Sequence, residues 1–144
     1  MFIQQWFQQK REKKIGFEDV MYAIIHSDDF LIINTLDKHM QQCLIKNTIH
    51  VDIEEKTIND LMNQSTINKK IILYGKNSGD DSVYKKYNQL VELGFQETYI
   101  YGGGLFEWLL LQDIYSENEF PTTSKVDDFL FYKQIPQMHI PRLK

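Results

Sequence analysis

Residues 74–82, Tyr-Gly-Lys-Asn-Ser-Gly-Asp-Asp-Ser, are the stretch of this chain whose types and spacing most invite chemistry. They join an apolar run, residues 70–74, to an amphipathic stretch, residues 82–93. A loop that leads from a buried strand into a helix gathers backbone N–H groups, and the helix dipole adds partial positive charge, so such loops hold anions. The side chains pull the other way. Lys76 supplies one cation, and Asp80 and Asp81 supply two anions. A plainer role suits Asp80, Asp81 and Ser82 better. They sit where a helix starting near Ser82 needs caps, each contributing about 0.5–2 kcal/mol. On that reading the loop is a stable turn that carries no reaction.

Other reactive side chains are isolated. Cys43 is the only thiol, and a free cysteine ordinarily behaves as a small core hydrophobe. His50, Asp52 and Glu54 alternate along a strand expected over residues 48–53 and so share one face, as metal ligands can. No Cys/His cluster accompanies them, so they read as solvent-facing polar groups, and neither a metal nor a cofactor is expected. His26, His39 and His139 lack partners at ligand spacing, and Ser65 and Ser78 lack the His/Asp neighbours of a triad. Gly102, Gly103 and Gly104 miss the dinucleotide-binding spacing and read as a tight strand-to-helix turn.

The elements that position these residues follow from hydrophobic period. Helical spacing marks residues 17–26, 54–63, 82–93 and 105–112, and Gly94 suits a left-handed cap. Continuous apolar runs at residues 30–34, 70–74 and 98–101 read as strands buried on both faces. Strands alternating with helices of about ten residues imply parallel strands with helical crossovers. The expected fold is an α/β domain with a parallel central sheet of four to five strands and helices on both faces. Residues 17–125 would form it, after an N-terminal apolar and basic helix at 1–16 and before an extended tail at 126–144. Phe2, Trp6 and Phe7 give the first segment an apolar side and make it a candidate partner-binding surface. Phe106, Trp108, Leu109, Leu110 and Leu111 make the last helix apolar all round, which calls for full burial or cover by another chain, a homo-oligomer included.

Composition narrows the setting. The chain has 144 residues, 42% hydrophobic, 13% aromatic and 25% charged, which fits one globular domain and excludes a mostly disordered chain. A net charge of −4 disfavours nucleic acid and anionic lipid as partners. No apolar run approaches the roughly 20 residues of a membrane span. The N-terminus lacks the pattern of a signal peptide, and a lone thiol points to a reducing, cytoplasmic setting.

The order of strand, loop and helix, followed by "ELGFQETYIYGGGLFEW", resembles a rhodanese-homology domain. The matching positions are Leu93, Gly94, Phe95, Gly103, Gly104 and Trp108. Upstream, "FLIINTL" is similar to the family's first buried strand, and "CLIKNTIHV" to its following short strand. The phrases "LYGKN", "GGLFEWLLLQDIY" and "EFPTT" look most like rhodanese-like proteins of large DNA viruses and some protists. The resemblance implies a loop in which a cysteine carries sulfur as a persulfide and an arginine closes the turn. Here the cysteine position falls on Gly75 and the arginine position on Asp80, or on Asp81 if the loop is one residue longer. Glycine cannot form a persulfide, and the aspartates repel thiosulfate or phosphate.

The degenerate loop is therefore Gly75, Lys76, Asn77, Ser78, Gly79, Asp80 and Asp81, with no catalytic residue expected. Resemblance to inactive members implies a pseudoenzyme that binds another protein or serves as a structural module, with a virion or host-directed role if the viral similarity holds. The alternative is a sulfurtransferase or phosphatase-like enzyme that uses Cys43 or another non-standard residue.

Overall fold

A computed structural model of the chain describes residues 12–64 and 67–138. Its elements are strand β1 (Lys14–Ile15), helix α1 (Phe17–Ile25), strand β2 (Phe30–Asn34), helix α2 (Val51–Met62), strand β3 (Lys70–Tyr74), helix α3 (Ser82–Glu92), strand β4 (Thr98–Tyr101) and helix α4 (Gly104–Ile114). Two short 3-10 turns, Lys38–Met40 and Phe129–Tyr132, complete it. The four strands pair in parallel in the order β1-β4-β3-β2. Parallel pairing forces each connection across a face of the sheet, so both faces are covered and the strands carry apolar residues on both sides.

Each face has its own core. Ile32 and Ile72 point toward α1 and α4, where Val20, Ala23, Leu105, Trp108 and Leu109 are buried. Ile33, Ile71, Leu73 and Ile100 point toward α2 and α3, where Ile58, Leu61, Val83, Tyr87 and Leu90 are buried. The period-2 alternation of the strands thus feeds two separate helix layers. Gly94 ends α3 with φ 104°, a left-handed conformation that glycine adopts without a Cβ penalty.

Three expectations need correction. Residues 48–53 are not a strand. Thr48 alone bridges Ile32, and α2 already begins at Val51. The alternation of Ile49, Val51 and Ile53 imitated a strand, but the His50 side chain accepts from the Asp52 amide at 3.1 Å, and Asp52 and Glu54 occupy the first helical turn. Local capping and the helix dipole outweigh the apparent period here.

Second, the end of the expected N-terminal helix is strand β1, whose Lys14 and Ile15 pair with Ile100 and Tyr101. The Lys13 and Lys14 ammonium groups lie 5.6 Å and 5.5 Å from the rings of Tyr99 and Tyr84, so their stems cover the sheet edge while their charges stay wet. Phe2, Trp6 and Phe7 lie outside the described residues.

Third, the tail is not simply extended. Residues 129–132 form a turn that buries Tyr132 against the α4 side of the sheet. On α4, Trp108 packs against Phe120 and Phe106 against Phe129, while Leu110 and Leu111 stay half-buried and Ile114 is exposed.

Candidate functional site

The loop after β3 lies beyond the carboxyl ends of the central strands, where ligands bind in parallel α/β sheets. Two glycines set its shape from opposite sides. Gly104 opens α4 with φ 70°, and its missing Cβ would lie 2.8 Å from the Gly75 carbonyl oxygen and 2.9 Å from the Asn77 nitrogen. That close approach lets the Leu105 and Phe106 amides donate to the carbonyls of Gly75 and Lys76, at 3.0 and 2.9 Å. Helix α4 is thereby tied to the loop through backbone alone.

Gly75, buried, makes room for a carboxylate. A Cβ at this position would meet Asp80 Oδ2 at 2.6 Å. The same oxygen accepts from the Lys76 amide at 2.8 Å. Asp80 Oδ1 accepts from the Ser82 amide at 3.0 Å and from the Ser82 hydroxyl at 2.6 Å. Asp80 therefore caps α3 and ties the loop together. Asp81, expected to share the capping, makes no side-chain cap bond. The Ser82 hydroxyl also lies 2.8 Å from Thr35 Oγ1, joining the loop to the end of β2.

Asn77 is 8% exposed and fully engaged. Its Oδ1 accepts from the Gly79 amide at 2.9 Å, and its Nδ2 donates to the Tyr132 carbonyl at 2.9 Å. Ser78, Gly79 and Asp81 are exposed, whereas Lys76 and Asp80 are half-buried. The Lys76 ammonium sits 5.9 Å from the Phe131 ring. An open cleft of about 320 Å³ lies over the loop, and among the described residues Asp37, Asp80 and Asp81 line it against one cation, Lys76. Such a charge balance repels anions that approach the loop.

Sequence reasoning found the loop but not its neighbours. Thr35 and Asp37 follow β2, and Tyr132 and Gln134 arrive from the C-terminal segment, 55 and 56 residues beyond their partners Asn77 and Ser78. Nothing local in the sequence marks them. Only the parallel topology, which collects strand ends, pointed toward the β2 end.

The remaining candidates lie elsewhere. Cys43 is fully buried in the α1–α4 core, and its thiol donates to the Ser124 carbonyl at 3.3 Å. Burial pushes the Cys43 thiol up, away from the thiolate that attack would need. Tyr74, just before the loop, holds the Cys43–Thr48 segment in place. Its hydroxyl accepts from the Ile45 amide at 3.1 Å and lies 2.7 Å from Thr48 Oγ1, and burial raises its phenol well above the usual range.

His50 faces solvent at the start of α2 beside Asp52, and His26 stacks on Tyr22. Among the described residues, no three His, Cys, Asp or Glu side chains gather as a metal site would require. Ser65 and His139 lie outside those residues. No described helix is long and apolar enough to cross a membrane.

Known proteins share this fold. The family model described as Rhodanese-like domain matches residues 4–111. No curated protein matches the chain. Among solved structures, a full-length protein from Lactobacillus plantarum superposes with a TM-score of 0.56 at 17% identity, covering 78% of this chain and 88% of that one. The rhodanese-like domain of an Anabaena protein gives 0.53 at 17% identity, over 93% and 99% of the two chains. A single-domain sulfurtransferase from Saccharomyces cerevisiae gives 0.52 at 17% identity, over 71% and 92%. At these identities the likeness is one of fold.

Proposed function

The chain belongs to the rhodanese-like domain family, and from that premise we propose that it is a member without sulfur-transfer activity, acting as a protein-binding or structural module. One observation carries the reading. The space that a side chain at residue 75 would enter is taken by the Asp80 carboxylate, 2.6 Å from such a Cβ. Sulfur transfer needs a thiolate at the head of the loop, with N–H dipoles and cations to stabilise its charge. Here a glycine stands at that point, and the Lys76 and Ser82 amides donate to an internal anion. The carboxylates around the cleft add repulsion toward an anionic sulfur donor. A virion component or host-directed adaptor falls within the same reading, as the resemblance of "LYGKN" and "EFPTT" to viral relatives implies.

The test is thiocyanate formation from thiosulfate and cyanide with the full chain. The expected rate equals that of buffer alone. Thiocyanate above that background overturns the reading, and its loss in Cys43→Ala would assign the chemistry to the lone thiol.

The pairing of Gly75 with Asp80 predicts a coupled stability effect. Gly75→Cys drives its Cβ into the carboxylate and should cost about 2 kcal/mol, because Asp80 must give up charge-assisted hydrogen bonds. Asp80→Ala should cost about 1–2 kcal/mol through the lost cap. Together the two should cost less than their sum by about 1 kcal/mol, since the second change relieves the clash made by the first. Urea denaturation of the four chains measures this, and strict additivity would mean that the two side chains do not compete for one space.

A further inference from the structure

The C-terminal segment reaches the cleft from far away in sequence and closes on it in a graded way. Tyr132 is the anchor, 2% exposed and packed in the core, with its carbonyl bound by the buried Asn77 side chain. Two residues further, Gln134 Nε2 donates to Ser78 Oγ at 2.5 Å. Gly79 leaves room for that side chain, since a Cβ there would lie 3.1 Å from Gln134 Cδ. Gln134, Ile135 and Gln137 then line the cleft together with Thr35 and Asp80.

Beyond the latch, support thins out. Residues 134–138 have no regular structure, and Ile135 and Met138 are 72% and 77% exposed. A segment anchored at one end, latched by side chains and burying little apolar surface opens at far lower cost than the sheet beneath it.

We infer that residues 133–138 form a movable strap: they make one wall of the open cleft above the Lys76–Ser82 loop and hinge after Tyr132, so the cleft widens when they lift. The inference rests on the binding-module reading, because a partner seated in this cleft would lie against the strap. Gly79 and the Asn77 amide serve it directly, one by making space and the other by holding the hinge.

A staple tests it in the full chain. A Cβ at residue 79 would lie 3.3 Å from Gln134 Cγ, hence within about 5 Å of the residue 134 Cβ, near the span of about 3.5–4.5 Å that a disulfide bridges. Gly79→Cys combined with Gln134→Cys should therefore form a disulfide on mild oxidation. Hydrogen exchange should then slow on the order of tenfold across 76–82 and 133–138 relative to the same chain kept reduced, and stay unchanged across Lys70–Tyr74. Gln134→Ala, which only removes the latch, should speed exchange at 133–138 severalfold. Failure of the disulfide to form, equal exchange in the stapled and reduced chains, or no effect of Gln134→Ala overturns the strap. None of these outcomes bears on thiocyanate formation, so the strap and the non-catalytic reading fail separately.

Discussion

Gly104→Ala is expected to destabilise the chain by about 3–4 kcal/mol, read as a lower urea midpoint with an unchanged slope. The cost has two sources. At φ 70° an alanine pays roughly 1–2 kcal/mol for the left-handed backbone. Its Cβ also meets the Gly75 carbonyl oxygen at 2.8 Å and the Asn77 nitrogen at 2.9 Å, and both are backbone atoms that cannot swing aside. The loop must back away, weakening the bonds from Leu105 and Phe106 to Gly75 and Lys76, at about 1 kcal/mol each. The neighbouring glycines are internal controls. A Cβ on Gly103 meets the Glu107 side chain, whose carboxylate can swing aside but whose Cβ, at 2.8 Å, cannot, so a partial loss is expected there, whereas one on Gly102 meets nothing within 4 Å. Gly102→Ala should thus stay within about 0.5 kcal/mol of the parent. Similar losses at all three positions would mean that the turn, and not the approach of α4 to the loop, is what the glycines serve.

That contrast also marks how far the sequence could be read. Three glycines announced a tight turn, but which one permits the backbone contact depends on the loop 27 to 29 residues earlier in the chain, and only the fold brings the two together. Strands β2, β3 and β4 were legible because burial on both faces demands unbroken apolar runs. Strand β1 was not, since two residues at a sheet edge, one of them Lys14, leave no period to detect. Residues 48–53 misled because Ile49, Val51 and Ile53 alternate by chance of position. The acids Asp52 and Glu54 in the first turn of α2 were the competing signal, and they won.

The site divides the same way. Gly75, Asp80 and the direction of the charge were visible as a departure from a known pattern. The carboxylate's seat over Gly75 was not, because it depends on the path of the intervening turn. The strap was invisible for a stronger reason. Asn77 reads as an ordinary turn residue and Gln134 as an ordinary polar one until topology places them at the same cleft.

Trp108→Ala should be the most damaging single change, at about 3–5 kcal/mol, which is a large share of the roughly 5–15 kcal/mol that holds a domain folded. Trp108 is fully buried. Its ring lies edge-on to Phe120 at 5.0 Å and to Tyr101 at 6.2 Å, so its removal opens a void between β4 and the segment after α4. Its Nε1 donates to the Pro121 carbonyl at 3.1 Å. That carbonyl also accepts from the Lys46 amide, so the loss is mainly one of packing and not an orphaned polar group. Ile114, on the same helix but 67% exposed, supplies the comparison, and Ile114→Ala should change stability by no more than about 0.5 kcal/mol. The consequence for the cleft is indirect and measurable. Phe120 and Pro121 lie at the start of the segment that leads to Tyr132, so a chain lacking the indole should lose hydrogen-exchange protection at residues 120–132 before it loses protection in β3. If Trp108→Ala left both the urea midpoint and that protection intact, the C-terminal segment would have to be held by contacts other than the α4 core.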